Sequence, residues 1–166
     1  MKRPRILAKL LLIATLTGAL PAMAQPLTDD PRAIVVENVS STGFANTLNT
    51  LKQQLEADGW NIVAEINLGA RLAKKNVALP GGLVILELTS GKNAVPLLKD
   101  ESTRYVAALM PCSVAVYGMN DGRVMISRMN AGLMAGMMEP RVAEVMRNAS
   151  IKLDETIARA LAKSGD

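Results

Sequence analysis

The residues with the most evident chemistry lie in one stretch, LMPCSVAVYGMNDGRVMISRMNAGLMAGMM (109–138). It holds Cys112, the only cysteine of the 166-residue chain, and seven of the ten methionines. Thioethers and a thiolate are the soft ligands that Cu(I) prefers. The candidate ligands of such a site are Cys112, Met119, Met125, Met129 and Met134. We expect no cofactor, because methionine also fills cores that lack aromatic residues; copper is the alternative.

Cys112 also permits a second chemistry, that of a sulfur carrier or redox thiol. A lone cysteine cannot form an intramolecular disulfide, and a cation such as Lys99, Arg104 or Arg128 would lower its pKa if it lay nearby. The chain contains no histidine, which excludes Ser-His-Asp and Cys-His catalysis and the usual imidazole zinc sites. We therefore expect a small binding or accessory protein rather than an enzyme, with Cys112-dependent chemistry as the alternative.

The N-terminus has the layout of a secretory signal peptide. A basic start, MKRPR, precedes a short apolar run and an Ala22-x-Ala24 cleavage pattern. We predict cleavage after Ala24, which makes 1–24 a signal peptide, 25–32 a flexible leader and 33–164 a single domain. The predicted product is periplasmic, and it has no second long apolar run that would hold it to a membrane.

Export changes what the charge implies about partners. The whole chain has a formal charge of +4, but four of its basic residues lie in the predicted signal peptide, which has no acidic residue. The remainder carries 15 basic and 15 acidic residues and is neutral. Four aromatic residues offer little for base stacking. We therefore expect no nucleic-acid partner.

Hydrophobic periodicity predicts alternating strands and helices. The predicted strands cover 33–39, 60–68, 83–88 and the two sides of an Asn-Asp-Gly turn at 120–122. The predicted helices cover roughly 43–57 (with hydroxyl caps from Ser-Ser-Thr), 69–76, one helix within 93–109 with Pro96 in its first turn, 131–138, and 139 to about 163. This order predicts an α+β fold with a mainly antiparallel sheet, helices packed on one face and a long C-terminal helix.

The turn at 120–122 decides the neighbours of Cys112. A two-residue Asp-Gly turn would pair Met119 with Val124 and place Cys112 on one face with Met125 and Met129. A three-residue loop with Gly122 left-handed would pair Met119 with Arg123. That register places Cys112 with the β-branched residues of the hairpin and the three methionines on the other face. We favour the second register because it separates apolar from polar side chains.

The motifs SSTGFANTLNTL, DGWNIVAEINL, LVILELTSGKNAVPLL and LMPCSVAVYGMNDGRVMISRMN follow one another in an order and spacing that resemble the family called domain of unknown function 302. The resemblance spans roughly 33–160. It departs at TSGK, where many members carry Asn-Pro. It implies a TBP-like α+β fold and a homodimer. It implies no DNA binding, because fold is not function, and no established reaction carries over to these residues.

These observations leave the ligand open. We expect a small ligand or a periplasmic protein partner, bound on a concave sheet face or in a dimer groove. The candidate ligand-binding residues are Tyr117, Arg128 and Asn130.

Overall fold

The computed structural model describes residues 33–164, so the predicted signal peptide and leader lie outside the described residues. Within 33–164, five strands form one antiparallel sheet in the order β1-β5-β4-β3-β2. The strands are β1 (Val35–Ser40), β2 (Asn61–Asn67), β3 (Leu83–Thr89), β4 (Cys112–Gly118) and β5 (Val124–Met129). The helices are α1 (Phe44–Ala57), α2 (Leu68–Ala73), α3 (Gly91–Leu98), α4 (Ala131–Ala135), α5 (Pro140–Ser164) and a 3-10 helix (Arg104–Leu109). The predicted α+β class is confirmed.

The main core lies between one face of the sheet and the helices α1 and α5. Alternate residues of β3, β4 and β5 are fully buried there, as expected for strands with one covered face. These strand residues pack against Leu51 and Leu55 of α1 and against Leu153 and Ile157 of α5. A second, smaller cluster joins Leu97 of α3, Val106 of the 3-10 helix and Val142 of α5. No helix in residues 33–164 is long and apolar enough to span a bilayer.

The β4–β5 hairpin closes through the favoured three-residue loop. The Met119 N–H donates to the Arg123 carbonyl at 2.8 Å, and Gly122 adopts a φ of +89°. Asp121 accepts a hydrogen bond from the Arg123 N–H at 3.0 Å. The register pairs Val116 with Ile126, so the β-branched residues face the helices, as predicted.

The start of α1 differs from the prediction. Its N-cap is Gly43, and no side chain caps it. The hydroxyls instead form a cluster between β1 and the helix, in which Ser40 Oγ lies 2.7 Å from Thr47 Oγ1. Thr47 also donates to the Gly43 carbonyl at 3.1 Å. The hydroxyls therefore satisfy one another and a carbonyl of the chain entering α1, rather than the helix's free N–H groups.

The single helix predicted within 93–109 is wrong, because the chain breaks at Asp100. The Asp100 carboxylate accepts hydrogen bonds from the Ser102 backbone N–H (3.0 Å) and from its hydroxyl (2.8 Å). The Thr103 hydroxyl donates to the Leu97 carbonyl at 2.7 Å, which provides a partner for a carbonyl in the last turn of α3. These local bonds compete with helix continuation, and Pro96 lies inside α3 rather than in its first turn.

Two short helices begin in the same way. Asn67 ends β2 and accepts the Ala70 N–H at 2.8 Å, while Asn130 follows β5 and accepts the Leu133 N–H at 3.0 Å. Asparagine at an N-cap satisfies donors that the first turn leaves free. The repeated Asn-x-Gly in the sequence is therefore a strand-to-helix signal that periodicity alone does not detect.

One crossing of two backbones admits only glycine. A Cβ built on Gly118 would lie 2.6 Å from the Gly81 Cα and 2.8 Å from the Pro80 carbonyl oxygen. Gly81 also has a φ of +76°, which L side chains rarely adopt. The 79–82 turn is thereby pressed onto the end of β4, next to the hairpin loop.

We expect Gly118→Ala to lower the free energy of unfolding by about 2 kcal/mol, because the added methyl group overlaps backbone that cannot move aside. Urea unfolding followed by circular dichroism measures the change. Gly91→Ala is the matched control: nothing lies within 4 Å of a Cβ there, and alanine favours a helix start. A Gly118→Ala variant as stable as Gly91→Ala would show that the crossing is not tight.

Candidate functional site

An apolar cavity lies where the two hydrophobic clusters meet, at the edge of the sheet where β3 ends and β4 begins. It has a volume of about 70 Å³. Its wall includes Trp60, Leu97, Val106, Met110, Cys112 and Met146. Thr89, Ser90 and Asn93 add polar atoms at the junction of β3 and α3. We call it the main cavity; no Asp, Glu, Lys or Arg lines it.

Local hydrogen bonds hold Trp60 at this edge. Gly59 follows α1 with a φ of +79°, and the Trp60 backbone N–H donates to the Leu55 carbonyl at 2.9 Å. This is the helix-ending pattern that a left-handed glycine makes possible. The indole is 4% exposed, and its Nε1 has no hydrogen-bond partner among the described residues. The Lys152 ammonium lies 5.9 Å from the ring centroid.

Cys112 begins β4 and pairs with Leu88 of β3, on the side of the sheet that carries the helices. Its side chain is half-buried and lines the main cavity. Burial raises the pKa of the thiol, and the negative charge of Glu87 raises it further. The thiol is therefore protonated at neutral pH and is a weak nucleophile.

A side cavity of about 30 Å³ shares Trp60 and Cys112 with the main cavity and adds Arg128 to its wall. Arg128 is only 8% exposed, and its guanidinium is already paired. Its Nε donates to Asp154 Oδ1 at 2.6 Å, and its Nη1 donates to Asn38 Oδ1 at 2.8 Å. The charge of Arg128 is therefore neutralised within the protein and does not lower the pKa of Cys112.

The three candidate ligand-binding residues lie apart. Arg128 points to the helices, whereas Tyr117 lies on the opposite sheet face and donates its hydroxyl to Glu37. Burial and Glu37 together raise the pKa of Tyr117 to about 12, so this phenol stays protonated. Asn130 caps α4 and donates its amide to the Ala33 carbonyl at 3.1 Å. The structure places only Arg128 at a cavity that Cys112 also lines.

The five candidate copper ligands are also dispersed. Cys112 and Met129 line the main cavity. Met119 lies beside the hairpin loop, in an open groove at the other end of the sheet, and Met134 lies in α4. Met125 is 3% exposed and four residues from Met129 along β5, roughly 13 Å away. No group of three or more Cys, Asp or Glu side chains within 33–164 is placed to hold a metal ion. Copper binding stays a prediction.

Sequence reasoning missed Trp60 as a site residue. The sequence pattern predicts Trp60 to be the first residue of a strand. No nearby residue indicates that it lies close to Cys112 in the fold. The Asp58-Gly59 pair before Trp60 could have indicated its position. A left-handed glycine ends a helix in a defined geometry and so fixes the direction of the next side chain. The lining residues of α3 and α5 were treated only as helix-packing positions.

Comparison with known proteins identifies the family to which the chain belongs. The model of the family "Domain of unknown function DUF302" matches residues 36–163. No curated protein matches the sequence. The fold is similar to the crystal structure of an uncharacterized conserved protein DUF302 from Bacillus stearothermophilus, with a TM-score of 0.68 and 23% identity. That match covers 76% of this chain and 98% of the other, and at this identity it shows a shared fold.

The family match extends over most of the chain and agrees with the order of motifs in the sequence and with the observed sheet. The chain belongs to the domain of unknown function 302 family.

Proposed function

We propose that this is a non-enzymatic binding protein whose main cavity holds a small, largely apolar ligand. The observation that carries the proposal is the cavity itself, which is lined by aliphatic, indole and sulfur side chains at a junction of two packed clusters. Ligand sites are typically concave and apolar with a few polar groups. Thr89, Ser90 and Asn93 are such groups here.

The chemistry of the wall favours binding over catalysis. Cys112 is the only titratable side chain that lines the main cavity, so no acid and base face each other across it. A catalytic thiol needs a lowered pKa, whereas burial and Glu87 raise that of Cys112. Arg104, another candidate activating cation, donates its Nε to the Leu98 carbonyl at 3.1 Å. These features disfavour the sulfur-carrier or redox alternative.

We infer that two copies associate through the sheet face opposite the helices. The core helices α1 and α5 pack on the other face, and the strands present exposed or half-buried apolar side chains here. They include Val35, Val39, Ile66, Leu83, Ile85 and Ala115. An apolar face of this kind is typical of an interaction surface, and a twofold axis through it would bury the same residues of both copies.

We also propose that the protein works in the periplasm after cleavage behind Ala24. The support is the layout of the first 24 residues, with a basic start, an apolar run and small residues before the cleavage point. Cleavage would remove four basic residues and leave a chain with no net charge. A protein without net positive charge is better suited to bind an uncharged ligand than a polyanion.

We expect Ala149→Leu to abolish binding of cyclopentane, because the larger side chain fills the cavity from α5. Ligand at ten times its Kd should raise the Tm of the unmodified protein by about 4 °C and that of the variant not at all. Differential scanning calorimetry measures both. Ala162→Leu, at an exposed position of the same helix, should keep the full ligand effect. If cyclopentane leaves the unmodified protein's Tm unchanged, the binding proposal fails.

We expect Cys112 to react with iodoacetamide at pH 8 at least tenfold more slowly in the native protein than in urea. A raised pKa leaves less thiolate at this pH, and the cavity wall restricts access. Saturating cyclopentane should slow the native reaction further. Mass spectrometry of timed aliquots gives the rates. Native labelling as fast as in urea would instead favour the thiol-dependent alternative.

We expect Ala115→Arg to convert a dimer into a monomer. Ala115 lies at the middle of the central strand, on the face away from the helices, between Ile85 and Ser127. In the dimer, the two introduced arginines would face each other and place like charges in an apolar interface.

Sedimentation velocity at several concentrations measures the mass. Ala162→Arg, which adds the same charge on exposed α5, should remain dimeric. An unmodified protein that sediments as a monomer at about 100 µM would contradict the dimer, because a high protomer concentration favours association by mass action.

A further inference from the structure

The short helix α2 lies at the end of the sheet opposite to the main cavity, where β2 ends and β3 begins. A close approach fixes it there, because a Cβ on Gly69 would lie 2.9 Å from the Leu83 nitrogen. The helix end is also well defined: Asn76 adopts a φ of +61°, and the Val77 N–H donates to the Leu72 carbonyl at 3.1 Å. A left-handed residue with this bond ends a helix in a fixed geometry. The side chains around this end therefore have defined positions.

Three cations share one side of this helix end. Arg71, Lys74 and Lys75 follow the i, i+3, i+4 spacing of a single helix face, and all three are exposed. None of them forms an ion pair with another residue of the described part of the chain. The sequence from 66 to 86 contains these three basic residues and no acidic residue. Positive charge is therefore concentrated here, although the chain after the predicted cleavage site is neutral.

Exposed apolar side chains lie beside these cations. Val77 is 45% exposed, and Leu79 is 37% exposed. Met119, at 38%, lines the same open groove as Leu79. Asp121 also lines this groove, and Arg123 neutralises it at 2.7 Å. The dipole of α2 favours a cation at its C-terminus, but it gives no reason for apolar side chains to remain in solvent next to three of them.

We propose that the α2 surface, defined by Arg71, Lys74, Lys75, Val77 and Leu79, binds the anionic headgroup surface of a lipid bilayer. The cations attract lipid phosphates, and the valine and leucine enter the boundary between headgroups and acyl chains. A hydrophilic polyanion would match the cations alone, so the exposed apolar side chains favour lipid. The contact is peripheral and uses no membrane-spanning segment.

The position of the α2 surface leaves the main cavity free. Cys112 and Gly118 are the two ends of β4, roughly 20 Å apart. The main cavity lies at the Cys112 end, and the α2 surface lies at the Gly118 end. A protein bound to a bilayer through α2 would hold the main cavity away from it. Bilayer binding is therefore independent of ligand binding, and either can occur without the other.

Vesicle co-sedimentation of the protein purified after export tests the α2 surface. We expect binding to vesicles of equal parts phosphatidylglycerol and phosphatidylcholine, and binding on the order of a hundredfold weaker to phosphatidylcholine alone. Arg71→Gln/Lys74→Gln/Lys75→Gln should lower the partition coefficient for the anionic vesicles about a hundredfold, on the order of fivefold per cation. All variants share one N-terminus, so its contribution cancels in the ratio.

A second variant with the same loss of charge is the matched control. Lys92→Gln/Lys99→Gln/Arg147→Gln removes three exposed cations near the main-cavity end of the molecule. It should change the partition coefficient less than about threefold, because these charges lie more than a Debye length from the bilayer. Val77→Ser/Leu79→Ser should lower it roughly tenfold with the cations intact. Circular dichroism checks that each variant folds.

Three results would overturn the proposal. One is that the unmodified protein binds the anionic vesicles no better than phosphatidylcholine alone. Another is that both triple variants lose binding equally, because net charge rather than the α2 surface would then be responsible. The third is that Val77→Ser/Leu79→Ser binds vesicles like the unmodified protein while poly-glutamate binds the α2 surface more tightly than lipid does. That result would assign the surface to an acidic protein partner.

Discussion

The pairing of Met119 with Arg123 across the three-residue loop fixes the face that every side chain of β4 and β5 presents. These strands lie at the centre of the sheet, so their register also sets which residues of β1 and β3 face the helices. A slip by one residue would exchange the buried valines for Ser113, Tyr117 and Ser127. Gly122, left-handed at +89°, makes the loop possible, and the crossing of Gly81 over Gly118 holds the end of β4 against the 79–82 turn.

That register has one consequence that costs energy, because it also turns Arg128 towards the helices. A buried guanidinium needs both charge and hydrogen-bond partners. Asp154 of α5 supplies the charge and Asn38 of β1 an acceptor, so a helix and an edge strand are tied to the same point of β5. Asp154 is half-exposed, so removing it alone would cost less than the loss of one partner from a fully buried ion pair. This network also explains why the wall beside Cys112 is electrically neutral.

Periodicity and turn chemistry were enough to predict the strands, α1, α5 and the hairpin register, because each depends on residues close in sequence. The strand order was not predicted, because the pairing of β1 with β5 joins residues far apart in the chain. The break at Asp100 was missed, since an aspartate side chain that captures the Ser102 N–H competes with a helix in a way that apolar spacing does not record. The candidate site was less predictable. Cys112 was recognised, but Trp60, Leu97 and Met146 reach it only through packing of α1, α3 and α5 on the sheet. Tyr117, Arg128 and Asn130 were chosen for their polarity, and the structure shows that each already binds another part of the protein.

The main cavity and the unpaired indole both cost stability, and they occur at the same place. A void of about 70 Å³ costs about 2 kcal/mol in lost packing, and a buried donor without a partner costs roughly 1–3 kcal/mol more. Larger side chains at Ala94, Ala131 or Ala149, all of which line the cavity, would have filled it. The net stability of a domain is roughly 5–15 kcal/mol. The combined cost of the cavity and the indole is large by comparison, and packing alone does not explain it. A ligand that fills the space would recover the packing term, which is why the cavity is interpreted as a binding site.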